Sequence, residues 1–165
     1  MEWDKTRRGD KNLIISKVMK NKMAMATWKK ANILVLDEVS MLSKKIFEII
    51  EEIGRIVRKS SLPFGGIQVV FAGDFFQLPP VGTEGEPDTE MFCFESPIWT
   101  SVFKQENIVE LTTMFRQKDP LYIELLSQIR RGYLDEDKKK ILQSYVGRKY
   151  DPSLNNGCFL TKLFA

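Results

Sequence analysis

Two acids stand side by side where an aliphatic run ends, in LVLDEVSML (residues 34–42). At the end of a strand, an Asp such as Asp37 holds Mg2+ against nucleotide phosphates, usually through water. A neighbouring Glu, here Glu38, can polarise the attacking water. The plain alternative is a pair of acids opening a loop. A second group lies in FAGDFFQLPPV (71–81). Gly73 permits a sharp turn, and Asp74 and Gln77 come after it on a loop stiffened by Pro79 and Pro80. Gln can orient a water or touch a terminal phosphate without adding charge. A Gly-Asp turn with a Pro-Pro exit also serves structure alone. The third is Arg116 in LTTMFRQ (111–117). It gains meaning beside the other two, as a donor to a γ-phosphate.

These residues need strand ends to carry them. Asn32–Leu36 and Ile67–Ala72 are near-continuous apolar runs, the pattern of strands buried on both faces of a parallel sheet. Between them Ser43 offers an N-cap, and Ile46, Phe47, Ile49, Ile50, Ile53, Ile56 and Val57 form one apolar stripe. Glu48, Glu51, Glu52, Arg55 and Arg58 fall off that stripe. The strand–helix–strand order predicts a right-handed parallel crossover and an α/β fold. A helix is expected over 12–28, a loop over 78–90, a third strand over 108–111 and a short strand over 158–163. Asp119-Pro120 begins another helix that runs to Gly132, and 135–146 reads as a further one.

Composition narrows the chemistry. The 165 residues contain no His, which removes His-based acid–base pairs and His-containing zinc sites. Cys93 and Cys158 are too far apart for a CxxC pair, and two cysteines fit a reducing, intracellular compartment. No apolar run is long enough to span a bilayer, and no signal segment is visible. The formal charge of +3 is uneven. Residues 1–31 hold nine Lys/Arg against three acids, a candidate for phosphate-backbone contact or simply a solvated helix face.

Taken in order, the three stretches resemble the PIF (petite integration frequency) family of 5′-to-3′ DNA helicases in superfamily one. LVLDEVSML resembles its Walker B motif, which implies Asp37 as metal ligand and Glu38 as base. GDFFQLPPV resembles its third motif, with Gln77 as γ-phosphate sensor and Gly73 and Asp74 beside the nucleotide. LTTMFRQ resembles its fourth, with Arg116 touching phosphate. Residues 47–71, including Arg55, Arg58 and PFGGIQ, resemble the stretch that marks this family, and FCFESPIW and IRRG also look familial.

The resemblance implies ATP and Mg2+ as cofactors, and single-stranded DNA and duplex or junction DNA as partners of a monomer. It further implies roles in genome maintenance, DNA repair, recombination and telomere maintenance, with nuclear or mitochondrial placement in a eukaryote. The implied fold is a RecA-like P-loop NTPase sheet, as a partial first motor domain missing its P-loop strand. Residues 1–31 form its basic helical start, 32–150 its body and 151–165 the start of a second motor domain. No G-x-x-x-x-G-K-[ST] segment occurs, so the chain alone is expected to be inactive. The P-loop strand is expected between the strands at 32–36 and 67–72; without it they either pair directly or leave apolar edges exposed, with marginal stability. Two other readings remain: a non-catalytic nucleic-acid-binding remnant using the basic segment with Phe75, Phe76 and Trp99, and a metal-dependent nuclease using Asp37, Glu38 and Asp74.

Overall fold

A computed structural model of the chain describes residues 10–147. The expected strand at 158–163, the expected second-domain start at 151–165 and the first nine residues lie outside the described residues. The chain forms two compact units, the first ending at Leu111 and the second beginning at Thr112.

Two helices replace the single one expected over 12–28: α1 (Lys11–Lys20) and α2 (Lys22–Lys30). Asn21 breaks the pattern. Its backbone N–H donates to the Val18 carbonyl and closes α1, while its side chain accepts from the amides of Met23 and Ala24 and opens α2. An Asn side chain competes well for backbone donors, so it favours a cap over a helix interior.

Strands β1 (Ile33–Leu36) and β2 (Gln68–Phe71) pair directly and in parallel, with Ile33 opposite Gln68 and Leu36 opposite Phe71. The unbroken register is the first of the two outcomes expected without a P-loop strand, direct pairing of the two strands. Burial on both faces is corrected. Leu34, Val69 and Phe71 pack on the core, whereas Ile33, Val35 and Val70 are 57%, 64% and 44% exposed. A near-continuous apolar run fixes strand type but not how many faces are covered.

Helix α3 (Lys44–Arg58) crosses from β1 to β2 and covers the buried face. Ser43 caps it by accepting from the Ile46 amide at 3.3 Å. Its Phe47, together with Phe64, Ile67 and Cys93, forms the centre of the core, ringed by Phe71, Trp99 and Phe103. Phe47 meets Phe71 edge-on at 5.9 Å and Trp99 at 5.6 Å, within the range of favourable aromatic pairs. Ile49, Ile53 and Val57 form a second cluster against α1 and α2. The short α4 (Trp99–Val102) comes after β2 in the chain.

Residues 108–111 are irregular rather than a third strand, with Val109 and Leu111 78% and 90% exposed. Among the described residues no neighbouring strand offers them a ladder, so β propensity alone leaves them unpaired. The second unit holds the two expected helices, α5 (Pro120–Arg130) and α6 (Glu136–Tyr145). Asp119 accepts from the amides of Leu121 and Tyr122, and Gly132 takes φ 76° just past the end of α5. Asp135 caps α6 by accepting from the Lys138 amide at 2.7 Å.

Candidate functional site

The two strands end together, and the loops that leave them are bonded to each other. The Ala72 amide donates to the Leu36 carbonyl at 2.9 Å, and the Val39 amide donates to the Ala72 carbonyl at 3.1 Å. These two bonds extend the β1–β2 ladder into the loops that carry Asp37-Glu38 and Gly73-Asp74. Gly73 is required there: at φ 154°, a Cβ on it would stand 2.7 Å from the Val39 nitrogen. The first unit thus gathers five of the expected residues, Asp37, Glu38, Gly73, Asp74 and Gln77, at one sheet end. Open α/β sheets bind ligands at that end.

Glu38 is in the left-handed region, φ 53° and ψ 44°, a conformation costing a non-glycine about 1 kcal/mol. Its own amide donates to Asp37 Oδ1 at 2.9 Å, which turns the Asp carboxylate back on the loop. Both side chains are exposed. Beyond Gly73, the Phe76 amide donates to Asp74 Oδ1 at 3.0 Å and the Gln77 amide to the Asp74 carbonyl at 2.9 Å. Gln77 Nε2 lies 3.5 Å from Asp74 Oδ2, so the Asp holds both the turn and the Gln side chain.

The donor set suits Mg2+. That ion takes one or two carboxylates and completes its shell with water and phosphate oxygens. Asp37 has one oxygen committed to the Glu38 amide and no ion pair among the described residues. No group of three or more metal-ligating side chains gathers among the described residues. Asp37, Glu38 and Asp74 therefore lack the multi-carboxylate cluster that the nuclease reading requires.

Residues remote from the site fix its floor. Cys93, wholly buried, donates to the Val39 carbonyl at 3.7 Å, and the Lys44 amide donates to the Met91 carbonyl at 2.9 Å. Burial pushes the Cys93 thiol up to about 11. The familial-looking FCFESPIW stretch is thus a prop for the turn after Glu38. Of the aromatics singled out, Phe75 packs edge-on against Phe94 at 4.8 Å and Trp99 lies against Phe103 at 4.5 Å. Phe76 is 68% exposed.

Sequence reasoning misplaced Glu51 on the polar face of α3. It is 5% exposed, accepts from the Phe64 amide at 3.3 Å and takes Arg55 Nε at 2.8 Å. The available signal was its position four residues after Phe47, on the same helical face, ahead of a turn whose amides need acceptors. Arg58 donates to the carbonyls of Gly65 at 2.8 Å and Ala31 at 2.9 Å, tying together the two segments that lead into β2 and β1. Arg116 belongs to the second unit, exposed on the irregular stretch before α5. There, Asp135 also accepts from Gln128 at 2.7 Å, which holds its carboxyl below the usual range.

Similarity to known proteins agrees with this architecture. The family model for a PIF1-like helicase matches residues 7–140. The chain is 36% identical over 166 residues to the ATP-dependent DNA helicase RRM3 of Saccharomyces cerevisiae, covering 99% of this chain and 22% of that protein. It is 38% identical over 122 residues to human ATP-dependent DNA helicase PIF1, covering 74% and 18%. The chain therefore spans about a fifth of the length of these relatives. The crystal structure of Pif1 helicase from Candida albicans superposes with a TM-score of 0.77 at 32% identity, covering 90% of this chain and 32% of that one. A Bacteroides Pif1 in complex with ADP-AlF3 and ssDNA gives 0.71 at 34%, covering 82% and 33%. The fold is accordingly α/β and RecA-like. On the family match and this shared fold, the chain belongs to the PIF1-like helicase family.

Proposed function

We propose that this chain supplies the strand-end part of the ATP-hydrolysing site of a 5′-to-3′ DNA helicase, with hydrolysis coupled to stepping along single-stranded DNA. The observation that carries the reading is the bonded pair of loops at one sheet end, which presents Asp37-Glu38 beside Asp74-Gln77. Asp37 would hold Mg2+, which supplies charge neutralisation to the phosphate oxygens when bound. Glu38 takes the proton of the attacking water. Gln77, steadied by Asp74, senses the terminal phosphate, and Arg116 donates to it. A P-loop segment is the remaining requirement, because its backbone amides and Lys cradle the phosphates.

Several features of the relatives support extending the reading. They are named ATP-dependent DNA helicases, and two neighbouring structures hold ssDNA. Work in DNA repair, recombination and telomere maintenance, and nuclear or mitochondrial placement, are part of the same proposal, as are the motor-domain boundaries at residues 32 and 150. Among the described residues no helix is long and apolar enough to cross a membrane.

The test is ATP turnover, with DNA present, by a protein in which these residues come after a P-loop segment in frame. Glu38→Gln should lower turnover by about 10²–10⁴-fold, the usual contribution of a general base. Undiminished turnover would sink the assignment. DNA binding without any turnover in the unsubstituted protein would favour the non-catalytic binding reading instead.

A further inference from the structure

Opposite the nucleotide-facing sheet end, where β1 and β2 begin, the first unit has an open cleft of about 460 Å³ lined by Lys29, Val57, Arg58 and Lys59. Among the described residues, every polar side chain that lines it is a cation. Lys29 and Lys59 are thirty positions apart in sequence and come together because Arg58 binds across the gap. Its Nε donates to the Gly65 carbonyl, and its Nη1 donates to the carbonyls of Trp28, Lys29 and Ala31 at 3.4, 3.2 and 2.9 Å. Nη2 makes no hydrogen bond among the described residues, so part of the guanidinium's five-donor fork stays available. The Lys59 backbone is fixed as well: it caps α3 at φ 52°, with its amide donating to the Arg55 and Ile56 carbonyls.

None of the ion pairs among the described residues uses Lys29, Lys30 or Lys59. No acid occurs from Lys11 to Ala31, a stretch with six lysines. We propose that this cleft is a phosphate-backbone contact for nucleic acid, formed by Lys29, Arg58 and Lys59 with the adjoining Lys30. A groove with no acid among its described lining residues, and with its Arg58 guanidinium held by backbone carbonyls, suits a row of phosphates, which reward positive charge through counterion release. Among the described residues no aromatic side chain lines it, so the proposed contact is to the phosphate backbone rather than to stacked bases, and duplex and single strands should bind alike. An anionic membrane is a poorer occupant: the only apolar lining residue among those described, Val57, is 3% exposed and offers nothing to insert.

The proposal does not depend on ATP hydrolysis, and it is tested without nucleotide. Fluorescence anisotropy of labelled duplex and single-stranded oligonucleotides, titrated with the chain over a range of salt, reads affinity and its salt slope. Lys29→Glu with Lys59→Glu should weaken both forms several-fold and lower the salt slope by about two, one per lost phosphate contact. Lys104→Glu with Lys118→Glu, the same charge change at two exposed sites, should leave the slope unchanged. The neutral pair Lys29→Gln with Lys59→Gln should give a smaller loss of the same sign. A second readout is amine acylation, in which bound duplex should protect Lys29, Lys30 and Lys59 but not Lys104. Equal weakening by the cleft and control pairs, unprotected cleft lysines, or loss of binding to phosphatidylserine vesicles with DNA binding intact would each overturn it.

Discussion

Strand β2 is entered through one loop and left through another, and the two are built in opposite ways. The entry turn, Pro63–Gly66, is locked from below. Phe64 is fully buried at φ 51°, its amide bonds to the buried Glu51, and Arg58 takes the Gly65 carbonyl. Gly54 lies so close that a Cβ there would stand 2.6 Å from the Phe64 carbonyl oxygen. The exit loop, Gly73–Gln77, relies on Asp74 for its own turn and on the Val39–Ala72 bond for its tie to β1. Asp37, Glu38 and Gln77 stay exposed there. Parallel sheets direct ligands to the ends where strands finish, which frees the beginnings to be built for stability. Residues 47–71 therefore act largely as scaffold, and the acids and amide beyond the strand ends are those proposed to face the chemistry.

The largest break in that contrast should come from Glu51→Ala. Removing a buried carboxylate that serves a buried amide and an arginine should cost about 3 kcal/mol in urea unfolding. A cost under about 1 kcal/mol would show the entry turn to be less dependent on it. Gly54→Ala is next: with its Cβ forced against the Phe64 backbone it should cost about 2 kcal/mol by overpacking. Cys93, which props the exit from within the core, should have a smaller, pH-dependent effect. Its folded thiol is raised from 9.0 to about 11 by burial. The unfolded chain ionises first, so this contribution is complete below pH 9 and is lost by about pH 11. The stability difference between wild type and Cys93→Ala should narrow across that window and stay flat below it. A difference that widened with pH would contradict the burial of a neutral thiol.

How much of this was legible depends on the range of the interactions. Helix α3 and the caps Ser43 and Asp119 are local, and the sequence pattern placed them, with the helix after Asp135, within a residue or two. The five sheet-end residues were legible as motifs, because strand ends and Gly turns leave short signatures. The break at Asn21 was hidden, since the apolar spacing continues through it while its side chain serves α2. Glu51 was hidden for a different reason. Its position four residues after Phe47 puts it on the buried face, but its acceptor role exists only once Phe64 arrives from thirteen residues away. The irregular Ile108–Leu111 stretch shows the converse: apolar residues suit a strand, but only a partner makes one.

The contrast between entry and exit is tested most directly by the unfolding free energy of the double substitution Asp37→Asn with Glu38→Gln, measured in urea against the unsubstituted chain. Exposed acids proposed to face chemistry, which hold little of the fold, should leave it within about 0.5 kcal/mol. A loss of about 2 kcal/mol or more, comparable with breaking the Glu51 network, would mean the sheet end is scaffold too and would contradict the division drawn between the two ends.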